Sequence, residues 1–389
     1  TNESLSSRRH RTIKAGDWFK WIGLRLAMAL EPRPGPVRVY WETEARDGFI
    51  GTPPCFGQRF GMSRHCFEQI MNCMSFSDGY LSDDPWKPIR LGVDRFNARR
   101  KDFVSPGNLL CVDECISAWK GREGKYCHDG LPHKTKIARK PEGKGTELKS
   151  IADGESGVLL GLELVEGKDR QRAKQYYREY GEGTAVVLRL AAPYKGSGRT
   201  IVADSAFASV KTLVQLEAHL GLYFMGMVKT ATVEYPKQAL TNWFETTPPR
   251  GSFKVYGSTT DLANKMYVMY WADRKPKTII CNRGTTLPGT DSVRPRHRLI
   301  NREGIYETLR YEKVISRPQM MELFFSKFST IDIHDHYRQG SLAIEREWIT
   351  RNWTHRLFST ILGMVVVDAY LAYRYDTENA GNVDSFPHS

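Results

Sequence analysis

The sequence predicts an α/β protein whose sheet-based core carries a β-rich insertion and is preceded and followed by helical segments. Two apolar runs read as strands that stop in aspartate: residues 109–112 lead into Asp113, and residues 200–203 lead into Asp204. A helical stripe follows Asp204, and strand, carboxylate, helix is the order found where open α/β sheets bind ligands. Residues 222–310 shift to short strands separated by Pro- and Thr-rich segments, whereas helical spacing dominates before residue 105 and after about residue 342. These changes divide the chain into a helical region (1–105), a core in two parts (106–221 and 313–378) around an insertion (222–312), and a tail (379–389).

Taken in order, residues 18–30 mix aromatic and aliphatic side chains at helical spacing, and the run Glu31-Pro32-Arg33-Pro34-Gly35-Pro36 ends that helix. A second helix is expected over 63–76, with Ser63 as its cap and Phe67, Ile70, Met71 and Met74 on one face. A third is expected over 91–103. After the strand at 109–112 comes a basic loop holding Lys134, Lys136, Arg139, Lys140 and Lys144. Residues 147–152 and 158–165 form an expected hairpin across Asp153-Gly154-Glu155-Ser156-Gly157. Residues 169–180 are polar and helical. Residues 185–190 and 200–203 are expected strands, and Ser205 is expected to cap a helix that Gly221 closes. Residues 223–228 and 265–271 are the clearest strands of the insertion. A long helix from about Leu342 to Tyr375 presents Phe358, Ile361, Leu362, Val365, Ala369 and Ala372 as a buried stripe.

Composition narrows the partners. Of 389 residues, 57 are Lys or Arg against 44 Asp or Glu, a net charge of +13 that favours a polyanionic partner, nucleic acid before membrane. Hydrophobic residues at 40% and aromatics at 11% exclude a disordered chain. The seven cysteines (55, 66, 73, 111, 115, 127 and 281) form neither an even disulfide framework nor a Cys-x-x-Cys pair, so reduced thiols in an intracellular protein are expected. The polar start, with Arg8-Arg9-His10-Arg11, is unlike a signal peptide, and the apolar window 361–372 is short for a bilayer and holds Asp368. No membrane partner is expected. The chain opens on Thr1, so whether it is full length stays open.

Asp113, Asp204 and a third aspartate, Asp332, follow apolar runs far apart in sequence, and only a fold can bring them together. Hard oxygen ligands on a rigid sheet suit Mg²⁺ or Mn²⁺, and a pair of such ions serves phosphodiester displacement. The basic loop is placed to grip phosphates. His334 and His336 point about 200° apart on a helix, which argues against a shared zinc site.

An ordered set of motifs resembles piggyBac-type transposases over roughly residues 40–375. Val112-Asp113-Glu114 with Trp119-Lys120-Gly121-Arg122 carries the first signature. Before it stand Tyr40-Trp41, Phe60-Gly61-Met62-Ser63-Arg64 and Phe76-Ser77-Asp78. Lys140-Pro141 with Gly145 and Asp153 fits the second strand, and Ala203-Asp204-Ser205-Ala206-Phe207-Ala208-Ser209 the second aspartate. Arg317-Pro318 and Ile331-Asp332-Ile333-His334-Asp335 fit the third, with Asn352-Trp353 beyond.

The resemblance implies a ribonuclease-H-like core of the Asp-Asp-Asp type interrupted by an insertion, and cut-and-paste DNA transposition through hairpin ends into TTAA targets. By position it makes Asp113, Asp204 and Asp332 the catalytic metal ligands for two Mg²⁺ (or Mn²⁺) ions, with Asp335 an auxiliary carboxylate. It places Trp353 near the DNA, and the charge of the basic loop makes Lys134, Lys136, Arg139, Lys140 and Lys144 the other expected DNA contacts, although Trp353 equally suits the core and Asp335 a plain helix face. It also implies double-stranded DNA as partner (transposon ends and target), an N-terminal region for dimerisation and DNA binding, a homodimer, and action in the nucleus. Four departures stand out, one of them Ser205 in place of an asparagine or similar. Ser329-Thr330 replace the usual Gly-Gly, which would misplace Asp332 if that turn needed positive φ. His336 replaces a glutamine. No cysteine follows Cys281, so the cysteine-rich zinc domain with which many relatives read transposon ends is not expected. The alternative is a domesticated, non-catalytic transposase-derived protein that binds DNA through its basic surface.

Overall fold

A computed structural model describes residues 1–45, 51–76, 83–124, 130–140, 142–229, 234–259, 265–302 and 305–380. Ser77, Asp78, Cys127, Pro141 and most of the 379–389 tail, all read from the sequence, lie outside those residues.

The centre is one mixed sheet. Its strands are β1 (Leu109–Ala118), β2 (Thr135–Lys136), β3 (Lys144–Asp153), β4 (Leu159–Leu164), β5 (Thr200–Ala203), β6 (Tyr223–Met227), β7 (Phe253–Thr259), β8 (Lys265–Ala272) and β9 (Pro276–Cys281). They lie in the order β2-β3-β1-β5-β6-β9-β8-β7, with β4 also on β3. β1, β5 and β6 are parallel; the other pairings are antiparallel. Tyr223–Met227, read from the sequence as insertion, is therefore a central strand, and the insertion's β7–β9 prolong the same sheet. A separate ribbon pairs β10 (Ser292–Arg302) with β11 (Ile305–Ile315).

Helices cover both faces. They are α1 (Ala15–Leu30), α2 (Arg64–Cys73), α3 (Lys87–Phe103), α4 (Glu182–Ala191), α5 (Val210–Leu220), α6 (Gln319–Lys327), α7 (Thr330–Tyr337) and α8 (Trp353–Asn379). Strand alternation assigns the faces. Leu110 and Val112 pack with Val186, Val187, Leu213 and Leu216 from α4 and α5. Cys115 faces α3, α7 and α8 through Ile89, Ile331, Leu357 and Met364. At the N-terminus, α1 and α2 build a third cluster from Trp21, Leu24, Phe67 and Ile70, closed by Trp348.

Several expectations change. β1 continues to Ala118 because β3 pairs along its length, from Leu110↔Asp153 to Ala118↔Gly145. Asp113 thus lies inside a strand. Residues 182–191 are helix α4, not a strand; they are buried nearly all round, and a continuous apolar run has no period to separate the two. Ser209, not Ser205, caps α5, its hydroxyl accepting from the Thr212 amide at 3.0 Å. The final helix begins at Trp353 rather than near 342, capped by Asn352, whose Oδ1 accepts from the Thr354 amide at 2.9 Å. By length and composition α8 is apolar enough to cross a membrane; here Leu357, Ile361 and Met364 pack it into the core.

Candidate metal centre and its basic loop

Register brings the first two aspartates together. Val112 lies opposite Ala203 in the parallel pair, so Asp113 and Asp204 are the next residues on neighbouring strands. β5 stops there, because the Asp204 carboxylate turns back to accept from the Ala206 amide at 2.8 Å. On β1, Asp113 Oδ1 accepts from the adjoining Glu114 amide at 2.8 Å, which curls the side chain toward its neighbour. One carboxylate oxygen from each of Asp113, Glu114 and Asp204 lies within 4.8 Å of the others.

Such crowding is costly. Asp113 and Glu114 are 5% and 4% exposed, and clustered buried carboxylates cannot all stay charged without cations. Burial, then the hydrogen bond and charge of Glu114, push Asp113 up to about 9. Burial works to raise Glu114 too, but its hydrogen bond to Asp113 and the cations Lys149 and Arg139 outweigh it and hold it low.

The basic loop supplies the balancing charge. Arg139 pairs with Glu114, reaches Asp204 Oδ2 at 3.3 Å and lies 3.9 Å from Asp113 Oδ1. Lys140 Nζ donates to the Glu114 carbonyl at 2.5 Å and sits 3.1 Å from both Asp332 Oδ1 and Asp335 Oδ2. Burial opposes the charge on both side chains, but the carboxylates prevail and raise both. The rest of the loop does otherwise. Lys134 donates to the Gly121 carbonyl at 2.6 Å, while Lys136 and Lys144 face each other across β2 and β3, both exposed.

The third and fourth aspartates come from α7. Ser329 precedes it at φ −96°, so no left-handed residue is needed where the resemblance led to an expected Gly-Gly, and serine and threonine adopt the turn without strain. Asp335 is clamped from below by the buried Arg338, which donates to Asp335 Oδ1 at 2.8 Å and to the Ile116 carbonyl at 3.1 Å. His334 contacts Asp368 at 3.1 Å, and Asp368 also accepts from Arg100 at 2.5 Å and from the Leu159 amide at 2.8 Å. That histidine is committed to anchoring α7 on α8. His336 is exposed.

Of the expected Asp113, Asp204 and Asp332, the structure brings the first two into one carboxylate group. Glu114 joins Asp113 and Asp204, and Asp332, its side chain 56% exposed, lies outside their cluster, joined to β1 through Lys140. From the sequence the strand ends at Val112, and Glu114 is not singled out as a ligand. Its carboxylate directly after an apolar run was the available signal. Trp353 is 4% exposed, packs edge-on to Trp86 at 5.6 Å and also lines a cleft beyond β1. That cleft, of about 880 Å³, carries Lys120, Arg122, Arg346, Arg351 and Arg356 against Glu142 and Glu345.

The acidic group fits a divalent cation. Its donors are hard oxygens, and Glu114 Oε2 is buried with no hydrogen-bond partner among the described residues.

Aspartates side by side on parallel neighbours, Asp204 where β5 ends and Asp113 beside it within β1, in a sheet ordered β4-β3-β1-β5-β6, define a ribonuclease-H-like fold of the transposase kind. The chain belongs to the family described as transposase IS4, which matches residues 1–370. Its fold is similar to that of a piggyBac transposase in a synaptic complex with hairpin DNA, solved by cryo-electron microscopy, at a TM-score of 0.69 and 17% identity over 99% of this chain and 73% of that one. No curated protein matches the sequence. The piggyBac-type assignment drawn from the ordered motifs agrees with both findings.

Proposed function

We propose that this protein is a metal-dependent DNA transposase that cuts phosphodiester bonds and transfers strands at TTAA sites, acting as a dimer on chromosomal DNA. The observation that carries the reading is the convergence of Asp113, Glu114 and Asp204 where the end of β5 meets the middle of β1. Those three residues would hold one divalent cation, and Asp332 with Asp335 would hold a second. When bound, such ions activate the attacking oxygen and stabilise the leaving one.

The chain's own side chains do the rest. Arg338 and His334 fix the pitch of α7, and so the position of Asp332 and Asp335. Arg139 and Lys140, released from the carboxylates, become free to hold DNA phosphates beside them. The cleft beyond β1, rich in arginine, offers a path for the strand that leads into the site. A DNA complex of a protein with this fold supports duplex DNA as the partner.

One observation favours the second reading, a domesticated protein that binds DNA without cutting it: Arg139 and Lys140 already neutralise the carboxylates. Nicking of a supercoiled plasmid carrying TTAA and candidate ends, with Mg²⁺ or Mn²⁺, separates the two. The enzyme reading expects metal-dependent nicking that Asp204→Ala abolishes while DNA binding survives. Absence of nicking with every end sequence, alongside intact DNA binding, leaves only the binder.

A further inference from the structure

The ribbon β10–β11 takes no part in the site just described. It forms its own sheet, eleven rungs long, from Ser292↔Ile315 to Arg302↔Ile305. At about 3.4 Å per residue it extends on the order of 35 Å. A lone two-stranded ribbon is marginal in water and needs something to lie against.

Register shows what it would lie against. Directly opposite residues share a face. One face therefore carries Arg294 with Lys313, Arg296 with Tyr311, and Arg298 with Leu309; on the other, His297 stands opposite Arg310. Like charges set opposite each other destabilise a ribbon. This one places Arg294 against Lys313, a cost that the Arg294–Asp273 pair offsets at the root. Arg294 is held by Asp273 at 3.0 Å, which fixes the root. Arg296, Arg298, Arg310 and Lys313 have no carboxylate partner among the described residues. Pro295 removes a backbone donor from β10, a device by which exposed strands discourage the addition of a further strand.

The root is firm. Ile315 is buried with Met320, Met321 and Phe324 of α6, and Trp271 donates to the Ser316 carbonyl at 3.1 Å. Helix α6 leads directly into α7 and its aspartates.

Resting on the transposase reading, we propose that β10–β11 is an arm that grips duplex DNA away from the carboxylate site. Arg296, Arg298 and Lys313 engage phosphates, and Tyr311 and Leu309 lie between them against the sugar edges. The width suits it, since the major groove of B-DNA, about 12 Å wide, admits a two-stranded ribbon.

The test uses the full chain and its Arg296→Gln/Arg298→Gln/Lys313→Gln variant. Binding to a labelled 40-base-pair duplex is followed by anisotropy from 50 to 300 mM salt, with sedimentation and thermal melting beside it. Each phosphate that the variant no longer neutralises lowers the slope of log affinity against log salt by about 0.9. The expected result is a slope about 2 to 3 smaller and at least tenfold weaker binding at 150 mM salt, with an unchanged melting temperature. An unchanged slope overturns the arm, as does wild-type protein that binds no duplex. A shift in sedimentation with the slope intact overturns it in favour of an interface between copies. Metal-dependent nicking by the same preparations reads the carboxylate site separately. Wild type that never nicks, yet loses slope in the variant, sinks the enzyme and supports the arm.

Discussion

The carboxylates come from two supports that behave differently. Asp113, Glu114 and Asp204 sit on adjacent parallel strands, and the sheet register alone sets their spacing. Asp332 and Asp335 ride on a short helix whose position depends on side chains: Lys140 above, Arg338 below, and His334 on Asp368 behind. In the sheet-borne group Asp113 and Glu114 are buried and Asp204 is half-buried, whereas Asp332 is largely exposed. A backbone ladder can hold like charges together against their repulsion, because the strands are fixed by many bonds elsewhere. A two-turn helix cannot, and here it has a lysine between its aspartates and the strand. The sheet half of the site is therefore built before a cation arrives. The helix half is held by charges that a cation would replace.

That contrast can be sharpened through pH, where the largest effect is expected. With Asp113 raised to about 9, its proton must leave before the sheet-borne group can hold a cation. Apparent Mn²⁺ affinity should rise from pH 6 to 9 by up to about tenfold per unit, and isothermal titration in buffers of different ionisation enthalpy should detect the released proton. The same shift fixes the sign for stability. The folded state keeps a proton that the unfolded chain gives up near pH 4, so metal-free protein should lose stability as pH rises from about 4 through 9. In Asp113→Asn that slope should flatten. A pH-independent affinity would mean that Asp113 faces no such crowding.

A smaller effect is expected from Arg139. Its guanidinium bridges Glu114 and Asp204 and competes for the charge that a cation needs. Arg139→Gln should tighten Mn²⁺ binding about tenfold, roughly 1.4 kcal/mol, measured by electron paramagnetic resonance without DNA. Weaker binding in that variant would make Arg139 a support of the cluster instead of its counterion.

Much of this was legible in the sequence, and the physical reasons divide cleanly. Asp113 and Asp204 stood out because apolar runs seldom end in a carboxylate. The hairpin of β3 and β4 and the caps at Ser63 and Gly221 follow from local spacing, whereas the buried stripe of the last helix runs through Leu357, Ile361, Met364, Val367 and Leu371, and Val365 and Ala369 of the expected stripe are exposed. Glu114 did not stand out, since its role depends on β1 running on past Asp113, which the partner strand β3 decides. α4 was hidden for a related reason: buried on all sides, it shows no polar face to reveal its period. Arg139 and Lys140 looked like phosphate-gripping charges, but the acids they bind lie 25 to 195 residues away. No local rule reaches that far. Trp353, with two readings open from sequence, packs on Trp86 at the start of α3 and borders the cleft as well, so its partners are set by contacts that no local spacing reveals.

The most direct measurement is Mn²⁺ binding by electron paramagnetic resonance in the wild type, Asp204→Asn and Asp332→Asn at pH 8, without DNA. A cation site preformed on β1 and β5 requires Asp204→Asn to lose the tightest ion and Asp332→Asn to keep it. Retention of that ion in Asp204→Asn, or its loss in Asp332→Asn alone, would contradict the account.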